Sequence, residues 1–413
     1  MKTIASAISD RGLKREGNED QYLIDESLGL YLVCDGMGGH AAGEIAAERA
    51  IAFAAEYISD NSDAIESASQ SPEGFYRVLK IAEEAVQNAS QELHLLSKSN
   101  IEFAGMGTTM TLLLIVENKA VMAHVGDSRL YLMRDGDIHQ LSVDHTLANE
   151  MYLSGGMTRE EAQASRYQHV LTRSIGAHEF VPVDTLLFDL IPGDRFLLCS
   201  DGLSNYFSDT AVVASLLSEP EIISHPGLLV DFANHSGGSD NITAVLVDTQ
   251  PDTSDPPESN TNTKAKLQCL GNTFLGSRLS VRRLIHLLSI ATTIHCNAGK
   301  EILSRGEKSR GLIVVLKGRF RVDDDDIIES ELTEGDSFGA SSLVMPVESE
   351  TILTALEPSQ VLLIDRRKFH SLTRRLPRLG NALLRNLARH LSEQLAMRGR
   401  GRSFNMDDTG PLP

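Results

Sequence analysis

The sequence predicts an α+β chain: antiparallel sheet carrying packed helices, followed by a second, β-rich domain. Three observations carry this. The stretches Ala42–Ser59 and 74–97 have apolar residues at helical spacing and read as helices packed on a sheet. Strand-like runs at Thr108–Val116, Lys119–Val125 and Arg129–Met133 follow one another, with a hairpin signal at Asp135-Gly136. Consecutive hairpins imply an antiparallel sheet, not a doubly wound parallel one. Late in the chain, short strands punctuated by Gly299, Gly306, Gly311, Gly318, Gly335 and Gly339 suggest a β-roll or jelly roll.

Taken in order, residues 4–10 read as an edge strand, and Arg11 to Asp20 as a densely charged loop. The apolar run Leu28–Cys34 is a buried strand that delivers Asp35 to its end, followed by the glycines of Gly36-Met37-Gly38-Gly39-His40. Asn61 to Pro72 is a polar break between the two helices. Gly126-Asp127-Ser128-Arg129 places a carboxylate at a strand break, or simply forms a β-turn. Residues 144–180 form a glycine-hinged excursion with a capping box at Thr158 and Glu161, the pattern of a lid or a mobile segment. Strands return at Thr185–Ile191, Arg195–Ser200 and Ile242–Val247, closing a first domain over 1–250. A Pro/Ser/Asn/Thr-rich linker spans 251–264, the second domain 265–400, and a disordered tail 401–413. Helices are expected at Lys368–Arg374 and Pro377–Met397. Leu383, Leu384, Leu387, Leu391 and Leu395 of the last helix make a stripe that packs on its own domain or forms a homodimer seam.

Charge is unevenly divided. Residues 1–250 carry 15 Lys and Arg against 37 Asp and Glu, and residues 251–413 carry 23 against 20. So acidic a first half disfavours nucleic acid, whose phosphates are bound by Lys and Arg. The four cysteines include no C-x-x-C pair, which fits a reducing cytoplasm. No secretory leader pattern and no 18-residue apolar run occurs, so a cytoplasmic protein without membrane attachment is expected.

Three acids share a setting. Asp35 and Asp201 follow apolar runs and precede glycine, and Asp240 lies just before another run. They are either three unrelated turns or oxygen ligands that converge on hard divalent cations. In the charged loop, Arg15 suits a phosphate, while Glu19 or Asp20 suits support of a metal shell.

The blocks R-x-x-N-E-D, V-x-D-G-M-G-G-H-x-x-G-E, G-T-T, G-D-S-R, L-T-R-S-I-G, S-D-G-L and D-N-I-T occur in that order over residues 1–250. In them the chain resembles the metal-dependent Ser/Thr protein phosphatases, the type 2C or PPM family, in their bacterial form. The resemblance implies a four-layer αββα sandwich of two antiparallel sheets flanked by helices. It implies hydrolysis of phosphoserine and phosphothreonine by a metal-activated water at two core Mn²⁺ or Mg²⁺ ions, with a weaker third. Asp35 would bridge both core ions, the Gly36 carbonyl would serve one, Asp201 and Asp240 the other, and Glu19 would assist through water. Asp127, with Asp201, matches the third site. Arg15 and Asp20 are the candidate catalytic residues, residues 144–180 match the flap, and Ser128 and Ser200 read as turn hydroxyls, not nucleophiles. Animal-type members carry His after the Asp-Gly, where this chain has Met37. His40 could substitute or could be a packing or capping residue, and the leaving-group acid stays unassigned. The partners implied are phosphorylated proteins, substrates of a bacterial Ser/Thr kinase.

Residues 267–400 resemble the cyclic-nucleotide-binding β-roll in framework, at Gly299-Lys300-Glu301-Ile302, Val314 to Gly318 and Glu334 to Gly339. The ligand cassette departs. Ala340 stands where the family places a ribose-binding Glu, and no Lys or Arg occurs between Arg321 and Arg366. A cyclic phosphate would meet Glu348 and Glu350 instead of a guanidinium, which disfavours a cyclic nucleotide. The expected protein is a phosphatase regulated by a fused β-roll. Two rivals stand beside it: an inactive phosphoprotein-binding scaffold, and a nucleic-acid module in the Arg-rich end.

Overall fold

The computed structural model describes residues 1–38, 41–71, 73–207, 209–250, 258–324 and 327–401. His40, the linker up to 257 and the tail from 402 therefore lie outside the described residues. The chain divides into two compact units, one through Asn260 and one from Thr261.

The first unit holds two antiparallel sheets. One is ordered Lys2–Asp10, Ile242–Gln250, Arg195–Cys199, Arg129–Arg134, Asp137–Gln140. The other runs Asp20–Asp25, Leu30–Met37, Met110–Val116, Lys119–Val125, Asp184–Asp189, with Gly107–Thr108 paired to Leu30–Met37. Central strands are apolar on both faces because both faces are covered. Leu30, Leu32 and Cys34 join the cluster under the helices Ala41–Asp60 and Gly74–Ser99. Tyr31 and Val33, on the opposite face, are equally sealed from solvent. Likewise Leu197, Cys199, Ala244 and Leu246 pack with residues of the helices Asp201–Ser204, Thr210–Ser218 and Gly227–His235. This is the expected αββα layering. Asp135 and Gly136 both take positive φ, the two-residue hairpin that the sequence signals. The polar break at 61–72 contains two short helical turns, Ser62–Glu66 and Ala68–Gln70, and the excursion 144–180 contains the helices Leu147–Ser154 and Arg159–Gln163, the latter with its capping box formed.

The second unit has two four-stranded antiparallel sheets and the closing helices Arg366–Arg375 and Pro377–Gly401. Two helices precede its first strand, Glu258–Asn272 and Val281–Leu288, and the sequence reading did not predict them. The first begins inside the expected linker and, from Ala265 onward, feeds Leu267, Cys269 and Leu270 into this unit's core. Leu383 and Leu387 are buried in the same core and Leu391 packs on it, whereas Leu384 and Leu395 are exposed. Most of the stripe thus packs within its own unit. All four cysteines are buried and free. Among the described residues no helix is long and apolar enough to cross a membrane.

Candidate active site

The acids come together at one edge of the first unit because neighbouring backbone segments deliver them. Asp20 and Asp35 lie opposite each other in the antiparallel ladder. Asp35 does not end its strand, which continues to Met37. The backbone around it is locked by the Gly-Thr-Thr motif. The Asp35 amide donates to Thr109 Oγ1 at 2.9 Å, while the Thr109 amide and Thr108 Oγ1 both donate to the Asp35 carbonyl at 2.9 Å. Thr109 Oγ1 also meets Ser128 Oγ at 2.7 Å, tying in the loop that carries Asp127.

Two glycines permit close approaches. A Cβ on Gly36 would sit 2.1 Å from the Gly43 carbonyl, so only glycine lets the helix Ala41–Asp60 start against this strand. A Cβ on Gly202 would sit 1.9 Å from the Asn241 carbonyl, so glycine brings the segments bearing Asp201 and Asp240 together. Asn241 then holds the charged loop. Its side chain accepts from the Glu19 amide and donates to the carbonyls of Arg11 and Gly17, each at 2.9 Å. Ser200 Oγ donates to Asp20 Oδ2 at 2.6 Å and accepts from the Thr243 amide at 3.0 Å.

The electrostatics are those of crowded like charges. Burial, followed by the charges of Asp20, Asp201, Asp127 and Asp240, pushes the Asp35 carboxyl well above the usual range. Asp20 is 2 % exposed, and its Oδ1 has no hydrogen-bond partner. Burial raises it to about 7, with Asp201 and Asp240 adding to the shift against the hydrogen bonds from Ser200 and Thr243. Burial and Asp201 raise Asp127 to about 8. Asp201 goes the other way. Burial pushes it up, but the hydrogen bond and charge of His169 and a hydrogen bond from Asn205 hold it below its ordinary value.

Arg15 reaches Asp240 with a 2.7 Å ion pair and is half exposed, so it stands at the mouth of the acid cluster. Glu19 lies against the start of the helix, its Oε2 in the space a Gly43 Cβ would fill. Gly36 is in the Asp35 strand, its amide bonded to the Glu19 carbonyl at 3.2 Å.

Sequence reasoning missed His169. It lies in the 144–180 excursion, and its Nδ1 approaches Asp201 Oδ2 at 3.3 Å. Asp127, His169 and Asp201 each offer one donor atom, all within 4.8 Å of one another. Nothing in its local sequence, Tyr167-Gln168-His169-Val170, marks it, because a single His on a loop has no periodicity. The excursion is fastened beside Asp127: the Gly126 amide donates to His145 Nδ1 at 3.1 Å, and the His145 amide returns a 2.8 Å bond to the Gly126 carbonyl. Oxygen-rich donors, raised carboxyls and an unpartnered buried Asp20 oxygen together fit hard divalent cations.

Comparison with known proteins agrees in both units. Residues 6–226 match the protein phosphatase 2C family, and residues 293–375 match the cyclic nucleotide-binding domain. The chain is 37 % identical over 245 residues to protein phosphatase PhpP of Streptococcus pneumoniae, covering 59 % of this chain and 96 % of that one. It is 36 % identical over 243 residues to serine/threonine protein phosphatase PstP of Mycobacterium tuberculosis, covering 59 % of this chain and 44 % of that one. The crystal structure of M. tuberculosis PstP/Ppp matches with a TM-score of 0.55 at 33 % identity, over 61 % of this chain and all of that one. A structure of the PstP catalytic domain in complex with two manganese ions matches with a TM-score of 0.52 at 34 % identity, over 60 % of this chain and 99 % of that one. With more than half of its length matched by one family, the chain belongs to the protein phosphatase 2C family.

Proposed function

We propose that the first unit hydrolyses phosphoserine and phosphothreonine in proteins with Mn²⁺ or Mg²⁺ at the acid cluster. The observation that carries this is the crowding of Asp20, Asp35, Asp127, Asp201 and Asp240, whose mutual repulsion a cation would relieve. Asp35, the Gly36 carbonyl, Asp201 and Asp240 would hold two core ions with support from Glu19. Asp127 would hold a third with Asp201, and His169 is placed to join them. Ions bound there would supply a nucleophilic hydroxide near neutral pH and neutralise phosphoryl oxygens. Arg15, paired with Asp240 and reaching solvent, would grip the phosphoryl group. Asp20 stays buried, accepts from Ser200, and holds the floor of the site in register with Asp35. Turnover of phosphoserine and phosphothreonine peptides by the full chain, abolished by chelation and restored by Mn²⁺, is the expected result. Phosphopeptide binding without turnover at any Mn²⁺ concentration would support the inactive scaffold instead.

Asp127→Ala is expected to lower turnover several-fold while the tighter ions still bind. Calorimetric titration with Mn²⁺ should lose only its weakest phase, and loss of the tight phase would move Asp127 into the core site.

The second unit is proposed to regulate the first without a cyclic nucleotide. In it, Gly339 takes φ 86° and starts the turn Ala340–Leu343, so the cassette backbone is present while its recognition residues are absent. A micromolar ligand needs about 8 kcal/mol, and losing one member of a buried charged pair costs about 2–5 kcal/mol. Calorimetry of the full chain with cyclic AMP and cyclic GMP should show no saturable binding below the millimolar range. Saturation at a few micromolar would refute this.

A further inference from the structure

We propose that the exposed face of the helix Arg366–Arg375 is a docking site for phosphorylated protein segments carrying two anions three to four residues apart. This rests on the phosphatase reading of the first unit. An open groove of about 670 Å³ is lined by Arg366, Arg367, His370, Ser371, Arg374 and Arg375. These residues form two parallel rows along one helix face, 366-370-374 and 367-371-375, each with i, i+4 spacing. The opposite face is anchored by Phe369 and Leu372, both buried. All four arginines thus stand on one surface. Arg367, Arg374 and Arg375 are exposed while Arg366 is half-buried with its Nη1 sealed, and among the described residues none of the four has a carboxylate partner.

Helix stability does not account for this set. Arg374 and Arg375 sit in the last turn, where cations complement the helix dipole. Arg366 and Arg367 sit in the first turn, where positive charge opposes it, and the adjacent Asp365 carboxylate is engaged in capping the Arg367 and Lys368 amides. Cations kept at an unfavourable end, aligned with a favourable pair two turns away, point to an anionic ligand.

Eight residues of helix separate the two arginine pairs by about 12 Å. An extended peptide covers that in three to four residues at about 3.3 Å each. Guanidinium pairs bind phosphoryl oxygens bidentately, and His370 and Ser371 add donors between them. Between the two arginine pairs the groove carries only His370 and Ser371, so its charge falls in two separate clusters. That suits two spaced phosphoryl groups better than the continuous phosphate row of a duplex, about one charge per 1.7 Å.

The test uses the full chain in chelator, so that no turnover occurs, and a labelled 12-residue peptide with two phosphoserines four residues apart. Arg374→Ala/Arg375→Ala replaces two exposed side chains. It is expected to weaken binding at least tenfold by fluorescence anisotropy, and wild type should bind a peptide with adjacent phosphoserines correspondingly less well. With Mn²⁺ present, the variant should turn over a small aryl phosphate at the wild-type rate. Equal peptide affinity in variant and wild type would overturn the proposal. So would tighter binding of a 20-base-pair duplex, of anionic vesicles or of inorganic phosphate than of the spaced peptide. Absence of aryl phosphate turnover in both proteins would overturn the phosphatase reading alone, because the anisotropy arm needs no catalysis.

Discussion

Asp201→Asn and Asp240→Asn are each expected to reduce phosphopeptide turnover by on the order of 10²-fold or more, while the domain stays folded. An amide is neutral and offers one oxygen where the carboxylate offers two charged ones, so it holds a hard cation much more weakly. The effects on folding should differ between the acids. Asp201 is held below its ordinary value by His169, so as a carboxylate it contributes stability at neutral pH that is lost as pH falls through its folded value. Its amide should be slightly less stable in chelator. Asp35 is pushed well above the usual range, so its contribution is present at low pH and lost as pH rises. Asp35→Asn should therefore abolish turnover yet raise the melting midpoint measured in chelator at pH 7–8. Near-normal turnover of Asp201→Asn or Asp240→Asn at modest Mn²⁺ would refute the assignment of these acids. A drop in the Asp35→Asn midpoint would show that the cluster is not frustrated.

Much of the first unit could be read from its sequence, because a strand covered on both faces needs an unbroken apolar run. Leu30–Cys34 and Ile242–Val247 are such runs, sealed from solvent on both faces. The acids were legible for a related reason. Each follows or precedes such a run beside a residue that permits a turn, and Gly36 and Gly202 prove to be steric requirements of the convergence. What could not be read depends on pairing across long sequence separations. His169 reaches Asp201 from an irregular excursion, and Asn241 reaches the Arg11–Gly17 loop from more than 200 residues away. In the second unit, the helix Glu258–Asn272 opens in a polar, proline-flanked stretch that signals a linker, and only the later Leu267 and Leu270 reveal a buried face. Tertiary packing overrides weak local propensity there.

The largest expected loss of stability lies away from the acids. Arg134 and Asp194 form a bidentate pair, Nε to Oδ1 at 2.7 Å and Nη2 to Oδ2 at 2.6 Å, with side chains 7 % and 1 % exposed. Asp194 immediately precedes the strand Arg195–Cys199, so the pair pins the end opposite to the one that delivers Asp201. Burial holds the Asp194 carboxyl above its ordinary value despite the arginine. Its stabilising contribution is thus present at low pH and lost as pH rises, and at neutral pH the ionised pair is no net electrostatic gain. Removing one member is far worse than keeping both. Asp194→Ala would strand a buried guanidinium and remove the acceptor of the Ile191 amide, now bonded at 2.9 Å. The expected cost is about 3–5 kcal/mol, a fall of roughly 6–20 °C in the unfolding midpoint of this unit. Replacing both partners by apolar residues of similar volume, Arg134→Met with Asp194→Leu, should recover most of that loss, since neither charge then has to be desolvated. Urea titrations of wild type, single and double variants decide the matter. A cost below about 1 kcal/mol for Asp194→Ala would mean that water reaches Arg134 and the pair behaves as a surface bridge. A double variant no better than the single would assign the strand end's stability to hydrogen bonding at Ile191 and Asp189 instead of to charge burial.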